Sequence, residues 1–204
     1  MKTKREFVID ELMVEHFAEW EANRLQLEET EETGRSILEF RLSSQKSLSI
    51  KNVDTKKTQM LFFQSSSTKS MFKRVDHIIF EQLEDDNWKL HLVEMKSNVG
   101  AVKWGDIKGK FRASYLLAQG IAAMLEMHIT ETCMYTTYEK VFWSMPEELP
   151  SLRRLPLGKK HINPQDEWNG TKFGLEFGER IDFVHIPIQM KRNVRKELVG
   201  EIDC

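Results

Sequence analysis

Three residues in this chain are chemically conspicuous because of where they stand: Asp76, Glu94 and Lys96. Each is a charged residue at the end of an apolar run, 75–83 or 88–95, and the two runs flank a turn-forming cluster at 84–87. Runs rich in β-branched and aromatic residues around such a turn predict a β-hairpin. The three polar residues lie at the ends far from the turn, which an antiparallel pair brings together. Two facing carboxylates repel unless something neutralises them. A hard divalent cation does so, and magnesium takes a few carboxylates while keeping several waters. Such an ion polarises a phosphoryl oxygen and makes a bound water a better nucleophile. A lysine two residues after the second acid falls on the same face. There it can orient the water, assist its deprotonation or stabilise charge developing on phosphate.

Whether the three meet depends on register. Side chains alternate along a strand, so Asp76 shares a face with Ile78 and Phe80, and Glu94 and Lys96 share one with Leu90 and Leu92. A three-residue loop at 84–86 sets Asp76 opposite Glu94. One at 85–87, with Asn87 left-handed, sets Asp76 opposite Lys96. Both gather the three onto one face, whereas a two-residue loop without a bulge splits them across the sheet. His77 and His91 alternate to the other face, where packing beneath a helix is expected. His16, His128, His161 and His185 show no ligand spacing. No Ser/His/Asp set, phosphate-cradling glycine loop or dinucleotide fingerprint is present.

Around the hairpin, residues 6–29 carry Val8, Leu12, Met13, Phe17, Trp20 and Leu27 at a rough 3.6-residue period and predict a helix. Its acids form a solvated face, or Glu15 or Glu19 points to Asp76 as a further metal ligand. Thr33-Gly34 ends it, and 36–42, 48–53 and 58–64 predict strands, with a polar hydroxyl-rich loop at 65–70. After a loop at 97–100, a helix is expected from about Asp106, as N-cap, to Met127. Its buried stripe is Phe111, Ser114, Ala118, Ile121 and Leu125, with Leu117 and Met124 beside it. Another face aligns Lys108, Arg112, Tyr115 and Gln119. Strands are expected at 131–143, 172–177 and 180–189, with a basic, proline-punctuated loop at 153–161. The tail from 191 reads as a short helix or a frayed end.

At 204 residues, 40% hydrophobic and 30% charged, the chain fits a single domain, 1–204: a core at about 6–143 and a β-rich C-terminal extension at 144–204. No apolar run approaches the roughly 20 residues that span a membrane. No apolar leader follows the basic N-terminus, so a cytoplasmic protein is expected. Cys133 and Cys204 are too few for a disulfide framework or a cysteine metal cluster. The net charge of −2 excludes a general nucleic-acid coat protein, so polyanion binding must come from segregated charge. Segregation is present: Lys96, Lys103, Lys108, Lys110 and Arg112 face one acid, Asp106, across 96–112.

A hairpin with an acid on its first strand and Glu-x-Lys on its second, followed by a helix and a strand, resembles the PD-(D/E)xK nuclease superfamily over about 75–142. The resemblance implies an α/β, restriction-endonuclease-like core, α-β-β-β-α-β, whose mixed sheet has the hairpin at its centre. It implies Mg2+ or Mn2+ on Asp76, Glu94 and the Met95 carbonyl, with Lys96 as catalytic lysine. The naming proline is replaced by Val75, and Tyr115 and Gln119 stand in the reverse of the order some branches show. Two cysteines exclude the iron–sulfur, Cas4-type branch. Asp54-x-Lys56 and Asp106-x-Lys108 imitate the motif without its hairpin setting, and Glu94-Met95-Lys96 is the only Glu-x-Lys. The function so implied is metal-dependent hydrolysis of nucleic acid, DNA favoured over RNA, without membrane association and with a homodimer open. Lys103, Lys108, Lys110, Arg112, Tyr115 and Gln119 would contact the substrate. The alternatives are a non-catalytic nucleic-acid-binding or assembly subunit and a protein-interaction module with incidental acids.

Overall fold

A computed structural model describes residues 3–31, 34–51, 53, 63, 70–143, 163–170 and 172–204. It is an α/β structure. Its main sheet has the order β1 (Ala18–Glu21), β4 (Ser47–Ile50), β5 (His77–Gln82), β6 (Asn87–Glu94), β8 (His128–Tyr138), β11 (Arg180–Gln189), β10 (Lys172–Glu176). The pairs β6–β8 and β8–β11 are parallel, and the outer pairs are antiparallel. A second sheet, β12 (Lys191–Arg192), β13 (Leu198–Asp203), β3 (Gly34–Arg41) and β2 (Arg24–Glu31), covers one face of the first. The long helix α2 (Ala101–Met124) covers the other.

Alternation along the strands decides both interfaces. Ile78, Phe80, Leu90 and Leu92 pack under α2, against Ile107, Phe111 and Leu117. Ile79, Val93 and Met95 point the other way, against Leu25, Leu27, Leu38 and Phe40 of the second sheet. A sheet buried on both faces explains the nearly continuous apolar runs of β5 and β6. The hairpin closes through a short 3-10 turn, Glu84–Asp86, with Asp86 left-handed at φ 57°. Its register pairs His77 with Val93, which sets Asp76 opposite Glu94. Of the two favourable registers, this is the one with the loop at 84–86.

Several sequence expectations are corrected. The helix expected over 6–29 stops early: α1 (Lys4–Phe7) runs into a π-helical turn, Val8–Leu12, and Met13 is extended. The rest forms β1 and β2. Leu25 and Leu27 are buried opposite Phe40 and Leu38 of β3, and that strand pairing overrides a loose helical period. Gly34 opens β3 at φ 123°, a conformation that favours glycine. Helix α2 begins at Ala101, five residues before Asp106, which lies exposed within it. Trp104 and Ile107 are buried and extend the packing stripe by about two turns, while Met124 is exposed. Gly100 is required just before α2, because a Cβ there would lie 2.8 Å from the Phe142 carbonyl oxygen. The tail is neither helical nor frayed: β13 lies parallel to β3 at the centre of the second sheet. The strands expected at 172–177 and 180–189 are present as β10 and β11, and they complete the main sheet. Residues 58–62, 64–69 and 153–161 lie outside the described residues. Among the described residues no helix is long and apolar enough to cross a membrane.

Arg5 ties the N-terminus to this frame. Its guanidinium donates to the Leu125 and Glu126 carbonyls at 2.9 and 3.1 Å, at the C-terminal end of α2, and lies 5.0 Å from the Trp88 ring centre. A cation there complements the helix dipole. His91 lies between the two sheets, with Nε2 2.8 Å from the Glu81 carboxylate and Nδ1 3.1 Å from the Tyr135 hydroxyl. It packs under the second sheet rather than under a helix.

Ser43 Oγ and the Ser44 amide, each at 2.7 Å, complete the shell around Glu81. Burial pushes the Glu81 carboxyl up, but these donors and His91 outweigh it and hold its pKa at about 2. The ionised form is thus favoured by folding. Its stabilisation is complete above the ordinary carboxyl pKa of about 4.5 and is lost as pH falls toward 2. Removing the carboxylate in E81A is expected to cost about 3 kcal/mol near neutral pH. Urea unfolding at pH 6 and pH 3 should show the gap between wild type and E81A narrowing at the lower pH; a constant gap contradicts the ionised assignment.

Candidate active site

Four elements converge at the C-terminal end of β6. Val75, just before β5, donates its backbone N–H to Ser114 Oγ of α2 at 2.9 Å, which fixes the approach to Asp76. Asp76 Oδ2 accepts from the Met95 N–H at 2.6 Å. Thr137, at the end of β8, holds the Lys96 backbone: its Oγ1 accepts from the Lys96 N–H at 2.9 Å and donates to the Lys96 carbonyl at 3.2 Å. The fourth element is α2 itself, which supplies Lys110.

The result is a compact set of two acids and two lysines. Lys96 Nζ lies 2.6 Å from the Met95 carbonyl oxygen, 3.1 Å from Glu94 Oε1 and 3.8 Å from Asp76 Oδ2. Lys110 Nζ lies 2.6 Å from Glu94 Oε1 and 3.9 Å from Asp76 Oδ1. The Glu94 side chain is fully buried, and its second oxygen, Oε2, has no hydrogen-bond partner among the described residues. Burial first and the Asp76 carboxylate second push its pKa up to about 7, against the pull of Lys96 and Lys110.

A buried carboxylate oxygen without a partner is costly unless it is reserved for a ligand. Asp76, Glu94 and the Met95 carbonyl present hard oxygen donors around the point where a lysine ammonium now sits. That donor set fits magnesium or manganese, whose remaining positions are filled by water. Among the described residues no group of three or more His, Cys, Asp or Glu side chains gathers anywhere, so the carbonyl and water must complete such a shell.

Glu15 and Glu19 are placed elsewhere. Glu15 is exposed beside His16 at 3.4 Å, and Glu19 pairs with His16 and Lys51 at 3.0 and 3.4 Å. The ladder places Glu19 beside Ser49, itself opposite Ile79, on the sheet face away from Asp76. A loose helical period had suggested otherwise, and the strand it becomes turns the acid away.

The cationic residues of α2 separate into distinct roles. A groove of about 310 Å³ beside the acids is lined by Lys108, Lys110 and Arg112 of α2, by Lys73, and by Leu175 and Glu176 of β10. Lys108 is engaged by Glu167 of α3 (Pro164–Asn169) at 2.7 Å. Arg112 makes no ion pair among the described residues. Lys103, seven residues before Lys110, stays on the same side of the helix at its N-terminal end. Tyr115 packs its ring 4.9 Å from Phe183 and 5.6 Å from Phe177, and Gln119 lies one turn further along.

Sequence reasoning missed Lys73 and gave Lys110 to substrate alone. A signal for Lys110 existed: it stands four residues before Ser114, on the edge of the packing stripe that faces the hairpin. For Lys73 the signal was its place three residues before Asp76, on the segment that leads into β5. Comparisons with protein-family models, with curated proteins and with solved structures return no match.

Because a divalent cation needs Glu94 ionised, its affinity is expected to rise with pH and level off above about 7. Calorimetric titration with Mn2+ should show about tenfold tighter binding at pH 8 than at pH 6, with no further gain beyond. An affinity flat across that range contradicts Glu94 as a ligand.

Proposed function

We propose that this chain is a metal-dependent nuclease that hydrolyses phosphodiester bonds of nucleic acid, with DNA as the favoured substrate. The observation that carries the reading is the convergence of Asp76, Glu94, the Met95 carbonyl and Lys96, joined through Lys110 to a groove whose lining holds Lys73, Lys108 and Arg112 beside Asp106 and Glu176. The order β4-β5-β6-α2-β8, with the acids on the β5–β6 hairpin and the helix crossing to a parallel strand, supports a restriction-endonuclease-like core. Ligand sites in sheets of this kind lie at the carboxyl ends of the parallel strands, which is where Glu94 and Thr137 stand.

Asp76, Glu94 and the Met95 carbonyl would hold Mg2+ or Mn2+, which supplies a polarised phosphoryl oxygen and an acidified water. The chain's own residues do the rest. Lys73 and Arg112 draw the phosphate backbone along the groove, a contact whose strength falls with salt. Lys96 stands within reach of both acids, on a backbone clamped by Thr137, so its ammonium is aimed at the point where the water and the phosphate meet. There it orients the water and offsets charge that develops on the phosphate. The apolar packing of β5 and β6 under α2 holds these groups in place.

Replacing Lys96 by alanine is expected to lower hydrolysis by about 100-fold or more. Binding of a DNA duplex should stay within about twofold, since the groove cations are untouched. Gel-based cleavage and fluorescence anisotropy measure the two. Full hydrolysis by K96A overturns the mechanism. Metal binding and DNA binding without cleavage by the wild-type chain would assign it to non-catalytic nucleic-acid binding instead.

A further inference from the structure

Lys110 touches two places at once. Its ammonium bridges Glu94 and Asp76, and its side chain also lines the groove that holds Lys73 and Arg112. It is less buried than Lys96, with 24% of its side chain exposed against 12%. Lys96 has a second partner in the Met95 carbonyl and a backbone fixed by Thr137, whereas the described partners of Lys110 are the two carboxylates alone.

We propose that Lys110 is an exchangeable internal cation that couples metal binding to phosphate binding. The proposal rests on the nuclease reading above and adds a role to it. Without metal, Lys110 neutralises Glu94 and Asp76 and so takes no part in holding nucleic acid. A divalent cation on the same carboxylates removes its partners and repels it. Its flexible four-carbon stem then carries the ammonium into the groove, where a backbone phosphate replaces the lost carboxylates. Metal and nucleic acid therefore each strengthen the binding of the other, and the two couplings must be equal. Arg112 lines the groove without an ion pair among the described residues, so it contributes to phosphate binding in both states.

The test compares wild type, K110M, K110R and R112M, each checked for folding by circular dichroism. The probes are Mn2+ alone and a short DNA duplex with phosphorothioate linkages. Calorimetry is expected to show K110M binding Mn2+ more tightly than wild type, by about tenfold, because the competing ammonium is gone. Without metal, K110M should bind the duplex within about twofold of wild type and with the same salt dependence. With Mn2+ present, K110M should bind about tenfold more weakly, and its log–log salt slope should be shallower by about one phosphate contact. R112M should lose affinity equally under both conditions, and K110R should behave as wild type.

If K110M weakens duplex binding equally with and without Mn2+, or binds Mn2+ no more tightly, the exchange is wrong while the nuclease reading stands. If the wild-type chain binds no Mn2+, both fall together.

Discussion

The buried carboxylate of Glu94 is the constraint to which the site answers. It sits at the end of a strand covered on both faces, where water cannot solvate it, so its charge must be met by the protein or by a ligand. Two lysines from different elements meet one of its oxygens, and the other has no partner among the described residues. The positions of β5, of α2 and of the Lys96 backbone are all consistent with serving that one group. Val75 is fixed by Ser114, Asp76 by the Met95 amide and Lys96 by Thr137.

A polar site in such a core has to be held by scaffold rather than by loops. Here the scaffold has three layers. The helix lies over the face that carries the acids, and the second sheet covers the back. The back layer has its own buried charge, Glu81, satisfied by two serines and a histidine. The contrast between the two acids is instructive. Glu81 is saturated with donors and stays ionised, as a structural carboxylate does, whereas Glu94 has donors on one oxygen only and stands beside Asp76, and its pKa rises to about 7. Burial is common to both; a full donor shell lowers one, and the neighbouring Asp76 carboxylate helps to raise the other.

Local pattern made the hairpin legible. Strand-forming runs, a three-residue turn and the period-two alternation were enough to put Asp76, Glu94 and Lys96 on one face. The stripe of α2 was readable for the same reason, since Phe111, Ser114, Ala118 and Ile121 repeat at helical spacing. The acid-rich N-terminal segment reads as a helix because its apolar spacing fits that period loosely, whereas pairing with β3, itself legible at 36–42, makes it a strand. The tail was misread likewise, since β13 is a strand only because β3 accepts it.

The amino-acid order thus determined which chemistry is available: two carboxylates and a lysine at the far ends of a hairpin, with cations concentrated in the helix that follows. It also set Glu94 and Lys96 on one face, because alternation along a strand is a local property, and left Asp76 to the register of the turn. Only the tertiary structure decided which register the turn adopts and that Lys110 reaches the acids. It alone placed Glu19 on the wrong face and set Lys73 against α2 and β10 to border the groove. Those outcomes depend on how elements far apart in sequence pack and exclude water, and a pattern that extends over a few residues carries no record of that.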